Sequence, residues 1–180
     1  MRRIGLLGLS GVGKSTLLKA IASHVDFMHL QASDLIKAEL QFRADQPQSS
    51  EDLRTGAVVE NQALLISGFN RAVEHATVPI VFDGHSIIDG RDGLIEIPSE
   101  VFAALGLAAI CFLEAEPSVI ATRRCNDARR QRPNRNVDVL RGHQAIAQAA
   151  ARRIAYEIGC PFRVISDDEH DLLRQLISQD

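Results

Sequence analysis

Lysine is scarce in this chain. Only Lys14, Lys19 and Lys37 carry it among 180 residues, so arginine supplies most of the 20 basic side chains. With so few lysines there is no N-K-x-D or T-K-x-D motif, which excludes the guanine-reading GTPases. Cysteine is equally sparse: Cys111, Cys125 and Cys160 are odd in number and lack C-x-x-C spacing. That argues against a disulfide framework or a zinc site and for a reducing, cytoplasmic setting. Cys111 lies in an apolar run and is expected in the core. No long apolar segment follows Arg2-Arg3, and no run approaches the roughly 20 residues that span a bilayer. We therefore expect neither a signal peptide nor a membrane span. A basic surplus is missing too: the net charge of −3 gives no electrostatic reason to expect nucleic acid or an anionic membrane as partner. There is no internal repeat, no low-complexity tract and no L-S-G-G-Q transporter signature.

What remains is ordinary for a globular chain: 46% hydrophobic and 24% charged residues, at a length of 180 that suits one compact domain over residues 1–180. That length is short for a full ring-forming ATPase module with its helical lid. Against this plain background one stretch stands out. Gly8-Leu9-Ser10-Gly11-Val12-Gly13-Lys14-Ser15-Thr16 fits G-x-x-x-x-G-K-[ST]. The apolar Ile4-Gly5-Leu6-Leu7 before it reads as a buried strand, and Leu17 to Ala22 after it as a helix, the setting a phosphate-binding P-loop requires. The glycines let the backbone turn its N–H groups inward as an anion nest at a helix N-terminus. Lys14 adds a full charge for the β- and γ-phosphates, the Ser15 hydroxyl can ligate Mg²⁺, and Thr16 is placed for the α-phosphate.

The rest of the chain alternates strand and helix. Strands are expected at 4–7, 27–31, 78–82, 108–113 and 162–165, each a short apolar run. Helices are expected at 14–24, from a cap at Ser33 or Asp34 to Leu40, over 51–74, 98–105, 117–130, 136–158 and 167–178. Residues 43–50 read as a loop, and Asp89 to Gly93 as a turn. This order predicts an α/β, three-layer P-loop NTPase fold with a five-stranded parallel sheet. Ligands then bind beyond the carboxyl ends of the strands, where the P-loop, Ser33, Asp83 and Glu114 all fall.

Three further sets of residues are candidates. Asp83 ends an apolar strand as a Walker-B acid should, able to hold a water ligand of Mg²⁺; the plain alternative is a turn-forming Asp before Gly84. His85 either touches an acceptor's phosphate or caps a turn. Arg123, Arg124, Arg129, Arg130, Arg132 and Arg135 cluster around a break at Pro133. A phosphoryl-transfer site needs such cations, and a short arginine-bearing lid over about 123–136 would exclude water. The alternative is a solvated helix face, with Arg124 pairing Asp127 three residues on. Finally Ser33, Arg54 and Gln62 fall in a helical region over about 33–75. There Arg54 could hold a monophosphate and Gln62 could read a base edge, or each could be an ordinary cap or surface residue.

Taken together these stretches resemble the archaeal-type adenylate kinases, small P-loop nucleoside monophosphate kinases. The likeness rests on the P-loop, on His29 to Leu35, on Asp83-Gly84-His85-Ser86, on Arg123-Arg124-Cys125-Asn126-Asp127 with Arg130-Gln131-Arg132, and on the segment from Gly142-His143-Gln144 to Ala151. It implies transfer of the ATP γ-phosphoryl group to a nucleoside monophosphate, AMP first, with Mg²⁺ held by Ser15 and Asp83. Gly8, Gly11, Val12, Gly13, Lys14, Ser15 and Thr16 would bind ATP. Lys14, Arg123, Arg130 and Arg132 would stabilise the transferring group, and Ser33, Arg54, Gln62 and His85 would hold the acceptor. The lid is too short, and too poor in cysteine, for a zinc-binding lid. A homo-oligomer is also hinted at by the likeness. One departure is visible: where the family pattern places an arginine in the helix after the lid, this chain has Gln148, with Arg152 and Arg153 nearby.

Two other classes stay open: a kinase of another small molecule, and an ATP-binding regulatory or assembly factor with weak ATPase activity. A second pocket near Ser33, Arg54 and His85 separates a kinase from an ATPase, which needs only water there. If Arg130 acts on the transferring group, Arg130→Ala lowers turnover more than it weakens ATP binding. Steady-state kinetics beside an ATP titration check this; lost affinity with unchanged turnover per bound ATP would make Arg130 a ground-state binder.

Overall fold

The first strand, β1 (Arg3–Leu7), is also the middle of the sheet. The computed structural model describes residues 1–43, 58–90, 93–127, 133, 135–166 and 169–178. In it, β2 (Met28–Gln31), β3 (Ile80–Gly84), β6 (Ala109–Glu114) and β7 (Phe162–Ser166) join β1 in the order β2-β3-β1-β6-β7, all parallel. The strands nearest the centre read as continuous apolar runs because both faces are covered. Ile4, Leu6, Leu7, Ile80, Val81, Phe82 and Ile110 to Leu113 are all buried. Cys111 is among them, and its burial pushes the thiol pKa up to about 12. All three cysteines are free, as expected.

Helices fill the crossovers: α1 (Lys14–Ala22), α2 (Ala32–Phe42), α3 (Val58–Val73), α4 (Ser99–Leu105), α5 (Pro117–Asn126), α6 (Val137–Glu157) and α7 (His170–Ser178). Here α2 packs on α3, α3 on α4, α6 on β6 and β7, and α1 on α7. This is the expected five-stranded α/β fold. Among the described residues no helix is long and apolar enough to cross a membrane.

One local expectation is extended and two are corrected. The turn-rich 89–93 stretch is flanked by a small antiparallel hairpin, β4 (Ile87–Asp89) with β5 (Leu94–Glu96), in which Ile88 faces Ile95. Strands of three residues are too short to show period-2 alternation, so only their turn residues are visible in the sequence. Helix α2 starts before Ser33 and Asp34: its N-cap is Gln31, whose side-chain amide donates to the Ser33 hydroxyl at 2.6 Å. Helix α5 stops at Asn126 rather than reaching Arg130. Asn136 is the N-cap of α6, its side chain accepting from the Val139 N–H at 2.9 Å.

The α2–α3 contact is unusually close. A Cβ added to Gly68 would sit 2.6 Å from the Leu35 carbonyl oxygen. Alanine ordinarily gains about 1 kcal/mol over glycine inside a helix. Here the obstacle is backbone, and overpacking of about 1–3 kcal/mol outweighs that gain. Gly68→Ala is therefore expected to lower the urea midpoint, and a raised midpoint would mean the two helices part freely.

Candidate active site

The P-loop runs from the end of β1 into α1, and its turns need glycine. Gly11 has φ of +89° and Gly13 of +116°, conformations that residues with a Cβ rarely adopt. Gly13 is the N-cap of α1, which has no side-chain cap and no acidic residue in its first turn. An uncapped, acid-free helix N-terminus leaves positive potential for an anion. Ser15 and Thr16 are exposed there, and Val12 is buried beneath the loop.

Lys14 points back under the loop and is only 7% exposed. Its Nζ donates to the Gly8 carbonyl at 3.1 Å and lies 3.6 Å from Asp83 Oδ1. The reach is set by the sheet: β1 and β3 are neighbours, with Leu6 opposite Asp83. The other Asp83 oxygen, Oδ2, lies 3.3 Å from His29 Nε2 on β2. Burial alone would raise the Asp83 pKa. The Lys14 charge, the His29 hydrogen bond and the charge of His85 outweigh it and hold the carboxyl below the usual range.

His85 follows β3. Its Nδ1 is 2.6 Å from the Gly8 carbonyl oxygen and 3.4 Å from Lys14 Nζ. A carbonyl only accepts, so the short contact places the proton on Nδ1. Lys14 then cannot donate to that nitrogen, and the two groups are neighbours rather than partners. The structure thus gathers Lys14, Asp83 and His85, with the Gly8 carbonyl as common acceptor for Lys14 and His85, and adds His29, which the sequence did not single out. The alternation of apolar Met28 and Leu30 with polar His29 and Gln31 is the available signal.

The described arginines of the cluster, Arg123, Arg124 and Arg135, meet oxygens of the protein itself. Arg123 Nη1 donates to the Val12 carbonyl and Arg124 Nε to the Ser10 carbonyl, the latter at 2.9 Å. Arg124 pairs with Asp89 of β4 at 3.1 Å, a partner 35 residues away. Arg135 reaches the same carboxylate at 3.1 Å, and His143 Nδ1 lies 3.7 Å from it. In the sequence Asp89 shows only as a turn residue.

Ser33 sits in the first turn of α2 at the carboxyl end of β2, and Gln62 is half-buried on α3. Arg54, Arg129, Arg130 and Arg132 lie outside the described residues. Gln148 donates to Glu114 Oε2 at 3.0 Å, at the end of β6. Neither neighbouring arginine takes its place: Arg152 stacks on Phe162 at 4.9 Å, and Arg153 pairs with Glu96.

Asp83 gives a pH test. A depressed carboxyl pKa contributes stability that is present above the unfolded value, about 3.9, and is lost as pH falls through the folded one. Asp83→Asn leaves Lys14 without its counter-charge and is expected to cost about 3 kcal/mol at pH 7. Urea unfolding of both proteins from pH 7 to pH 3 should show that gap closing below about pH 4; a gap that ignores pH would refute the ion pair.

Comparison with known proteins agrees with this geometry. A family model described as an AAA domain matches residues 7–141. The adenylate kinase of Thermococcus onnurineus is 28% identical over 178 residues, covering 97% of this chain and 90% of that protein. That of Pyrococcus horikoshii is 26% identical over 183 residues, with the same coverage. That of Thermoplasma acidophilum is 25% identical, covering 94% of this chain and 95% of its own. Among solved structures, shikimate kinase from Bacteroides thetaiotaomicron superposes with a TM-score of 0.56 over 99% of both chains, at 20% identity, which is a likeness of fold alone. With the P-loop, the strand-end Asp83 and the five-stranded sheet in place, the chain belongs to the AAA domain family as a P-loop kinase similar along nearly its whole length to archaeal adenylate kinases.

Proposed function

We propose that this protein transfers the γ-phosphoryl group of ATP to a nucleoside monophosphate, with AMP first among the acceptors. The observation that carries the proposal is the buried Lys14, held by Asp83 and the Gly8 carbonyl beneath a glycine-rich loop. The names of the full-length relatives are the reason to put AMP first.

The residues present fit ATP with Mg²⁺. The uncapped N-terminus of α1 suits phosphate, and the Ser15 hydroxyl is exposed beside it. Among the described residues no group of three or more His, Cys, Asp or Glu could hold a metal alone. That suits a cation bound through phosphates and one or two protein oxygens, here Ser15 and Asp83. Mg²⁺ bound with ATP supplies charge neutralisation at the phosphate oxygens.

In this reading Lys14 supplies the fixed positive charge, and Asp83 keeps it aimed. Gly11 and Gly13 present backbone N–H groups, the Val12 N–H being taken by the Leu9 carbonyl at 3.2 Å, and Thr16 serves the α-phosphate. His85, Ser33, Gln62 and Arg54 hold the acceptor, while Arg123, Arg130 and Arg132 neutralise the transferring group. No covalent intermediate is required, because positioning and charge neutralisation suffice for phosphoryl transfer.

A second reading is an ATP-binding regulatory or assembly factor with weak ATPase activity. It draws support from one observation: where the family likeness implies an arginine, Gln148 is tied to Glu114.

The two readings separate in one assay. ATP and Mg²⁺ are supplied with AMP, GMP, CMP, UMP or dTMP in turn, and with none, while ADP and free phosphate are followed. AMP is expected to yield ADP without free phosphate; free phosphate at one slow rate throughout would favour the ATPase. Lys14→Ala is expected to lower turnover by about 100- to 1,000-fold, since it removes a full charge from the phosphates. Near-normal turnover would overturn the role of the P-loop.

A further inference from the structure

Arg124 is a long, charged side chain that is only 7% exposed. It packs against the P-loop, with its Cγ 2.9 Å from where a Gly11 Cβ would stand. Its Nε donates to the Ser10 carbonyl at 2.9 Å and its Nη1 to Asp89 Oδ2 at 3.1 Å. Asp89 is fixed in turn. Its Oδ1 accepts from Arg135 Nη2 at 3.1 Å and Nε at 3.3 Å, and Arg135 Nη2 also lies 3.4 Å from the Gly90 carbonyl oxygen. His143 Nδ1 stands 3.7 Å from Oδ2, on α6. A buried guanidinium needs such a partner, and Asp89 supplies it from a different part of the chain.

The consequence lies in the peptide unit between Ser10 and Gly11. All peptide bonds described are trans, and in a planar trans peptide the carbonyl and the next N–H point in opposite directions. Arg124 holds the Ser10 carbonyl outward, so the Gly11 N–H is turned the other way. Arg123 does the same to the Val12 carbonyl and hence to the Gly13 N–H. Two of the loop's amides are thus oriented by arginines on the far side of the peptide planes.

We propose that Arg124, oriented by Asp89, is a positioning residue for the phosphate-binding loop: by holding the Ser10 carbonyl outward it aims the Gly11 N–H at the phosphates. This rests on the reading of the P-loop as an ATP site, and not on the identity of the acceptor. Arginine is required because one planar fork must serve a carbonyl and a carboxylate together, which a lysine ammonium on a flexible stem does poorly.

The test is a double-mutant cycle read by ATP titration calorimetry with no acceptor, on Arg124→Gln, Asp89→Asn and the double variant. Each single change is expected to weaken ATP binding about 10-fold, the scale of one charge-assisted hydrogen bond. The double variant should lose no more than about twofold beyond Arg124→Gln, since Asp89 acts through Arg124. Asp89→Glu, which keeps the carboxylate, should recover most of the affinity. Independent losses that multiply to about 100-fold would overturn the proposal. So would a lowered melting temperature with unchanged ATP affinity, the mark of a purely structural pair. A second measurement needs no ligand. With ¹⁵N-glycine labelling, the Gly11 amide resonance should shift in both single variants, and an unmoved Gly11 signal overturns the proposal. If the wild-type protein binds no ATP, the proposed function fails and the Gly11 resonance still decides the positioning role.

Discussion

A buried lysine needs a counter-charge. Taking the Lys14 ammonium out of water costs several kcal/mol unless it is paired. The pair is Asp83, with the Gly8 carbonyl as a further acceptor. That requirement reaches through the whole fold. Asp83 is within reach only because β3 lies beside β1 in parallel register, and parallel neighbours need a long crossover. The crossover here carries α1, β2, α2 and α3. The helices proposed to hold the acceptor are therefore the same chain that brings Asp83 to Lys14, so charge pairing and acceptor site share one topological cause.

The arginines show a second constraint. Charge near a phosphate site is useful only if it is aimed, and the described arginines are aimed at protein oxygens. Arg123 and Arg124, at the end of α5, donate to carbonyls of the loop itself, and Arg135 closes on Asp89. The loop is thus held on one side by backbone turns at Gly11 and Gly13 and on the other by guanidinium groups. Preorganisation of this kind favours anion binding, because the donors do not have to be turned at the moment of binding.

The sequence discloses local features well. The P-loop is contiguous, and the central strands are continuous apolar runs, so loop, sheet and most helices could be read directly. Ile80 to Phe82 and Ile110 to Leu113 are buried as their composition suggests. Longer-range features were not legible. Asp89 gathers Arg124 and Arg135 from 35 and 46 residues away, and ion pairs across such distances leave no periodic trace. The hairpin that carries Asp89 was hidden for the same reason, since three-residue strands leave too short a pattern. His29 is intermediate: its place in the strand could be read, but its partner on β3 emerges only with the sheet order.

Gln148 bears on how the chemistry can be divided. At the end of β6 the structure has an amide–carboxylate contact, Gln148 to Glu114, and Gln144 brackets the backbone of Ala115 with bonds of 3.0 and 3.2 Å. These contacts tie α6 to the strand end without adding positive charge. The arginines about one turn further along α6 are already engaged, Arg152 on Phe162 and Arg153 with Glu96. In the proposed reaction, positive charge for the transferring phosphoryl group would then come from Lys14 and from the arginines proposed beside it, not from α6. Since a phosphoryl transition state is stabilised chiefly by charge and position, the proposed transfer would depend on Lys14 and those arginines more heavily than it would with an arginine at position 148.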